Sequence, residues 1–153
     1  MGTRSTIALE FADGTVEQVY CHWDGYLEHN GKILAEHYSD PFKLRDLIDL
    51  GGLSSLRTTI GTKHKFSSFD LATKIEQRIH EETTKDMCTF YTRDRGEDLR
   101  VNKFVDFQDY LAHHQYEEYE YILRKNGNWY VKQHDSEYEL LMPALAENVV
   151  CED

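Results

Sequence analysis

The chain has 153 residues, 40% of them hydrophobic and 29% charged, and its net charge is −11. This length and balance fit one globular domain with its own core, expected over residues 1–148 with a short tail at 149–153. No apolar run approaches the ~18 residues of a spanning helix and no signal-peptide core is present, so membrane insertion is not expected; the negative charge also disfavours direct binding to nucleic-acid backbone or anionic lipid.

Residues 3–11 alternate as a strand, with Ile7, Leu9 and Phe11 on one side. Met1-Gly2-Thr3-Arg4-Ser5-Thr6 satisfies the minimal myristoylation pattern, but that pattern is short and the strand is the stronger reading. Asp13-Gly14 marks a turn and Val16–Tyr20 returns as a second strand. A two-residue turn would oppose Glu10 and Glu17, an unfavourable like-charge pair, so a longer or bulged loop is expected.

The second strand runs into Tyr20-Cys21-His22-Trp23-Asp24-Gly25-Tyr26. Such a crowd of polar and aromatic groups is costly to bury unless each polar atom finds a partner. It reads either as a structural corner or as the floor of a binding site, with Tyr20 and Trp23 largely buried and Asp24-Gly25 turning out of the strand. Ile33, Leu34 and Tyr38 form a short helical segment. Asp40-Pro41 starts a helix with stripe Leu44, Leu47 and Ile48, which Gly51-Gly52 ends. Residues 53–69 read as a loop with a basic patch, Lys63-His64-Lys65, and Asp70 is placed as the cap of a helix through Ile75 and Ile79.

Met87–Arg93 reads as a strand and Arg93-Asp94-Arg95-Gly96-Glu97 as a turn. Phe104, Phe107, Tyr110 and Leu111 have helical spacing. Tyr119, Tyr121 and Leu123 alternate, Asn126-Gly127 turns, and Trp129-Tyr130-Val131 returns; a last strand covers Tyr138–Leu141. Hairpins with separate helices predict an α+β fold: an antiparallel sheet built from hairpins, with helices packed on one face.

The chemistry-bearing residues give no catalytic signature. Cys21 and His22 are adjacent, so on a strand they point to opposite faces and cannot form a nucleophile pair. Eight histidines show no ligand spacing, and His113-His114 diverge by ~100° on a helix, so no metal and no cofactor are expected. Arg93 and Arg95 are suited to grip a phosphate or carboxylate, or to pair with Asp94 and Glu97 within the turn. There is neither a Walker loop nor a GxGxxG string. Together His22, Asp24, Tyr26, Arg93 and Arg95 make a candidate small-ligand site. Cys21, Cys88 and Cys151 are odd in number and widely spaced, which points to a reducing, cytoplasmic setting.

Charge is unevenly spread: residues 1–80 carry net −2 and residues 81–153 net −9. In the run Tyr116–Tyr121 the tyrosines Tyr119 and Tyr121 share one strand face, with Glu118 and Glu120 on the other. Glu117, Glu118, Glu120, Asp135, Glu137 and Glu139 are therefore candidates for contact with a basic protein partner. Simple solubility is the plainer reading of the same charge.

Thr3-Arg4-Ser5-Thr6-Ile7, Asp13-Gly14, Tyr20–Tyr26, Asn30-Gly31 with Leu34, His37-Tyr38, Tyr91–Glu97 and Gly127-Asn128-Trp129-Tyr130 form one pattern along the chain. The pattern resembles a family of small phage and mobile-element proteins, and Cys21–Tyr26 is its most specific string. Members usually carry Pro after the second Tyr of that string, where this chain has Leu27, so a different turn is expected. The resemblance brings no catalytic residue with it. It implies a context: an accessory factor in host cytoplasm that binds and inhibits a host defence or nucleic-acid-handling protein, such as a restriction, BREX or CRISPR component. The alternative is a small-ligand-binding or hydrolytic domain, and a homo-oligomer is compatible with either.

Overall fold

A computed structural model describes residues 3–67, 71–134 and 136–152, with side chains as far as Ala146 in the last helix. At its centre lies β1 (Ser5–Glu10), whose six residues are all buried. Alternating side chains can all be buried only when both faces of a sheet are covered. β1 pairs antiparallel with β2 (Val16–Cys21) and parallel with β6 (Tyr119–Leu123). The sheet continues on one side through β3 (Leu53–Ser55) and β4 (Thr89–Phe90). On the other side it continues through β7 (Trp129–Gln133) and β8 (Glu139–Leu140). An eighth strand, β5 (Asn102–Phe104), also pairs with β2. The fold is α+β and the sheet is mostly antiparallel, as the hairpin pattern predicts.

On the first face, Ile7, Leu9, Val19, Tyr121, Leu123 and Val131 make the main core. A π-helical turn (Leu27–Gly31), α1 (Lys32–His37), α2 (Pro41–Asp49) and the last helix, α6 (Leu141–Glu152), pack there. The amphipathic stripe of α2 supplies Leu44, Leu47 and Ile48. Asp40 caps its start by accepting from the Phe42 amide, Pro41 is its first residue, and Gly51 follows its end at φ +85°. One helix departs from a one-face layout. α5 (Phe107–His113) lies on the second face, where Tyr110 packs with Ala8, Val16, Phe104 and Ile122. The two remaining helices are α3 (Lys74–Thr84) and α4 (Tyr91–Arg95).

Several local expectations are refined. Phe11–Thr15 form the loop of the first hairpin, so Glu10 faces Val16 and Glu17 faces Leu9, and the like-charge pair is avoided. The stretch read as a loop contains β3. The strand expected over 87–93 shrinks to β4, because Asp94 accepts from the Phe90 amide and starts a helical turn. Thr73 caps α3; Asp70 lies outside the described residues. The expected tail at 149–153 is helical as far as Glu152. Among the described residues no helix is long and apolar enough to cross a membrane.

Candidate functional site

The Tyr20–Tyr26 string assembles a corner. Its strand ends at Cys21, and Asp24 takes the left-handed region at φ +58°. Gly25 then passes against the start of β1, its amide donating to the Thr3 carbonyl at 2.7 Å. A Cβ at Gly25 would lie 2.7 Å from both Thr3 O and Ser5 Cβ, so only glycine fits. Asn30 is fully buried and donates toward Ser5 Oγ, Cys21 Sγ and the Trp23 carbonyl, while the Tyr121 hydroxyl donates to the Gly25 carbonyl. The Thr3–Ser5, Tyr20–Tyr26 and Asn30-Gly31 strings thus meet at one place, and their polar atoms satisfy one another.

That corner turns some of its aromatics outward. Trp23 is 42% exposed, which corrects the expectation that it is core: the chain leaves the sheet one residue after Cys21 and carries the indole with it. Tyr26 is also exposed and Tyr20 half-buried. Tyr20 Oη lies 2.7 Å from His22 Nδ1, and the His22 ring meets Trp23 edge-on at 4.7 Å. These three form an aromatic stair along the edge of β2. Cys21 beneath it is fully buried, and burial pushes its thiol up to about 12, so it stays protonated and inert at neutral pH.

A groove opens beside the stair. β5 pairs with Val16–Gln18 and β3 joins at Cys21, so no strand residue pairs with Val19 or Tyr20 on that edge of β2. The resulting depression holds about 760 Å³. Tyr20 and Tyr91 are its aromatic walls, and burial raises both phenols. Glu97, Asp98 and Glu117 contribute three carboxylates against the single guanidinium of Arg100. Gln18 and Gln115 hold the far wall by reciprocal bonds, Gln18 Nε2 to the Gln115 carbonyl at 3.1 Å and the Gln115 amide to Gln18 Oε1 at 3.2 Å.

Behind that wall lies a buried polar network. His114 Nε2 is 2.5 Å from Glu120 Oε1, the Tyr138 hydroxyl donates to the same oxygen at 2.7 Å, and Tyr110 Oη meets Tyr138 Oη at 2.8 Å. His114 Nδ1 faces the Tyr110 carbonyl, which can only accept, so Nδ1 carries a hydrogen. The network pins α5 onto β6.

The proposed partner-contact acids therefore separate. Glu120 is fully buried and cannot touch a partner; its strand face is covered by α5. Glu117 lines the groove, Glu118, Glu137 and Glu139 are exposed, and Asp135 lies outside the described residues. The proposed small-ligand set also divides. Arg93 is committed to structure: it donates to the Ile60, Gly61 and Cys88 carbonyls and pairs with buried Asp94 at 3.0 Å. Arg95 pairs with Glu97 at the groove rim. His22 and Asp24 belong to the corner, His22 reaching the groove only through Tyr20. The groove residues Tyr91, Asp98, Arg100 and Asn102 were missed because α4, the segment after it and β5 meet Gln18–Tyr20 only in the folded sheet, which leaves no local signal. Comparison of the chain with family models, curated proteins and solved structures gives no match.

Proposed function

We propose that the protein acts by binding rather than by turnover, and that the groove beside the aromatic stair receives basic side chains of a partner protein. The observation that carries this reading is the wall chemistry: two tyrosines and three carboxylates around one open depression. Aromatic faces and carboxylates are the groups that hold lysine and arginine, by cation–π attraction and charge-assisted hydrogen bonds. Exposed Trp23, linked to groove residue Tyr20 through His22, adds an aromatic anchor of the kind that dominates protein interfaces. The net charge of −11 steers a basic surface toward the molecule. The likeness to phage and mobile-element proteins supports an accessory role in which that partner is a host defence or nucleic-acid-handling protein, inhibited by occupation of a basic surface.

The test uses the full chain as bait in host lysate, beside a Glu97→Gln/Glu117→Gln variant. A partner captured by the parent is then purified, and its affinity is measured at low and high salt. The reading expects the variant to bind more weakly and the parent to lose affinity as salt screens the charges. A partner that binds both proteins equally and ignores salt would overturn it.

A further inference from the structure

A second cavity, of about 330 Å³, lies between α3 and the β3–β4 edge of the sheet, and its chemistry is the reverse of the groove's. Arg57 and Lys85 stand in its wall with two imidazoles, His64 and His80, against one lining carboxylate, Glu81. Hydroxyls of Ser55, Thr84 and Thr89 line it as well. In a chain of net charge −11 this concentration of donors stands apart.

The two histidines carry the argument further. His80 Nε2 is 2.9 Å from the Lys65 carbonyl, which can only accept, so Nε2 holds the ring hydrogen. His80 Nδ1 is buried and has no hydrogen-bond partner. Such an orphan is costly unless something absent from the free chain completes it. His64 has both ring nitrogens engaged: its Nδ1 is 2.8 Å from the Thr62 carbonyl and 3.6 Å from the buried Asp94 carboxylate, which leaves Nε2 to take the Thr89 hydroxyl at 3.2 Å. A phosphate that keeps one P–OH suits the bare nitrogen: the hydroxyl can donate to His80 Nδ1 while the charged oxygens accept from Arg57 and Lys85.

We propose that this cavity binds a phosphate group, with Arg57 and Lys85 supplying charge, His80 Nδ1 accepting the hydrogen of a P–OH, and Phe66 bounding one wall. Of the basic Lys63-His64-Lys65 segment, His64 lines the cavity and the Lys65 carbonyl fixes the tautomer of His80. The cavity has more room than a phosphate ion fills, so the group arrives either free or as a phosphomonoester. The Lys85–Glu82 pair, at 3.0 Å, is largely exposed and opposes rearrangement only weakly.

The test titrates the full chain with inorganic phosphate and, separately, with adenosine monophosphate, while NMR follows the ring protons of His64 and His80. Chloride at matched ionic strength is the control. Saturable shifts of both rings with phosphate but not chloride are expected, with affinity falling roughly tenfold or more in Arg57→Gln and in His80→Gln, because each loses a bond to the phosphate. Lys85→Gln, at the exposed rim, keeps the test open should either of those variants unfold. Tighter binding of the nucleotide assigns the site to phosphomonoesters, and equal binding assigns it to free phosphate. Shifts that chloride reproduces, or affinities unchanged in the folded variants, would overturn the proposal.

Discussion

Removing the Glu120 carboxylate tests the buried network directly. Glu120 Oε1 is met by the Tyr138 hydroxyl and by His114 Nε2, while Oε2 has only Lys132 Nζ, at 4.0 Å. Glu120→Ala leaves both groups unsatisfied in a site where His114 is 5% and Glu120 0% exposed. Breaking a buried ion pair from one side typically costs about 3–5 kcal/mol, and each orphaned polar group about 1–3 kcal/mol. We expect Glu120→Ala to destabilise the fold by about 3–5 kcal/mol, roughly 10 °C in Tm for a domain of this size. Glu120→Gln is milder, about 1–2 kcal/mol, because the amide keeps the shape but must present either its oxygen or its nitrogen to both neighbours. Urea unfolding followed by circular dichroism measures both. A double-mutant cycle with His114→Ala isolates the pair, and about 1–3 kcal/mol of coupling is expected. A Glu120→Ala variant within about 1 kcal/mol of the parent, or additive single effects, would refute the reasoning.

Three further outcomes follow from the corner and the sheet. Gly25→Ala places a Cβ 2.7 Å from the backbone of Thr3, and should cost about 2–3 kcal/mol in urea melts, since the neighbour is a strand end rather than a flexible side chain. Trp23→Ala should cost only about 1 kcal/mol, the scale of its edge-on contact with His22, while weakening partner binding; a loss of core size in the same melt would place the indole inside after all. Glu10 is desolvated, which pushes its carboxyl up, yet Arg124 and the Lys125 amide together hold it below the ordinary value of 4.5. Its folded value lies below its unfolded one, so its contribution is present above that range and is lost as pH falls through the folded value; Glu10→Gln should flatten the acid limb of stability, and melts at neutral and acid pH that fall in parallel for both proteins would contradict this.

Local chemistry made some elements legible and hid others. Asp40-Pro41 and Gly51 announce α2 because cap, fixed φ and left-handed stop are all written in adjacent residues. The β6–β7 hairpin is equally readable from Tyr119, Tyr121 and Asn126-Gly127. By contrast β3 and β4 are three and two residues long, too short to show a period, and exist only because Cys21 and Leu53 pair across the sheet. Glu120 misleads for the same reason. Its alternation with Tyr119 and Tyr121 marks a polar face correctly, but nothing nearby in sequence says that α5 will cover that face and supply His114. Trp23 looked like core because it is large and apolar; the left-handed residue after it decides otherwise. The Arg93–Glu97 turn was half legible: both arginines pair with neighbouring acids, as turn chemistry suggests, but two of the carbonyls that Arg93 binds, those of Ile60 and Gly61, are far away in sequence.

The parallel pairing of β1 with β6 also governs how the chain is made. The Arg124–Glu10 contact at the end of that pair spans 114 residues of sequence. On a ribosome the first hairpin emerges early, with β1 offering an apolar, unpaired edge and no strand yet synthesised to take it. At typical elongation rates of ~5–20 residues per second, that edge waits roughly 6–20 s for β6. Contacts of such long range slow the rate-limiting step of folding and leave an exposed strand as a template for aggregation. The nascent first half of this protein is therefore the stage at which a holding chaperone has most to cover, and a fragment ending before Tyr119 should be insoluble even though its own hairpin is well specified.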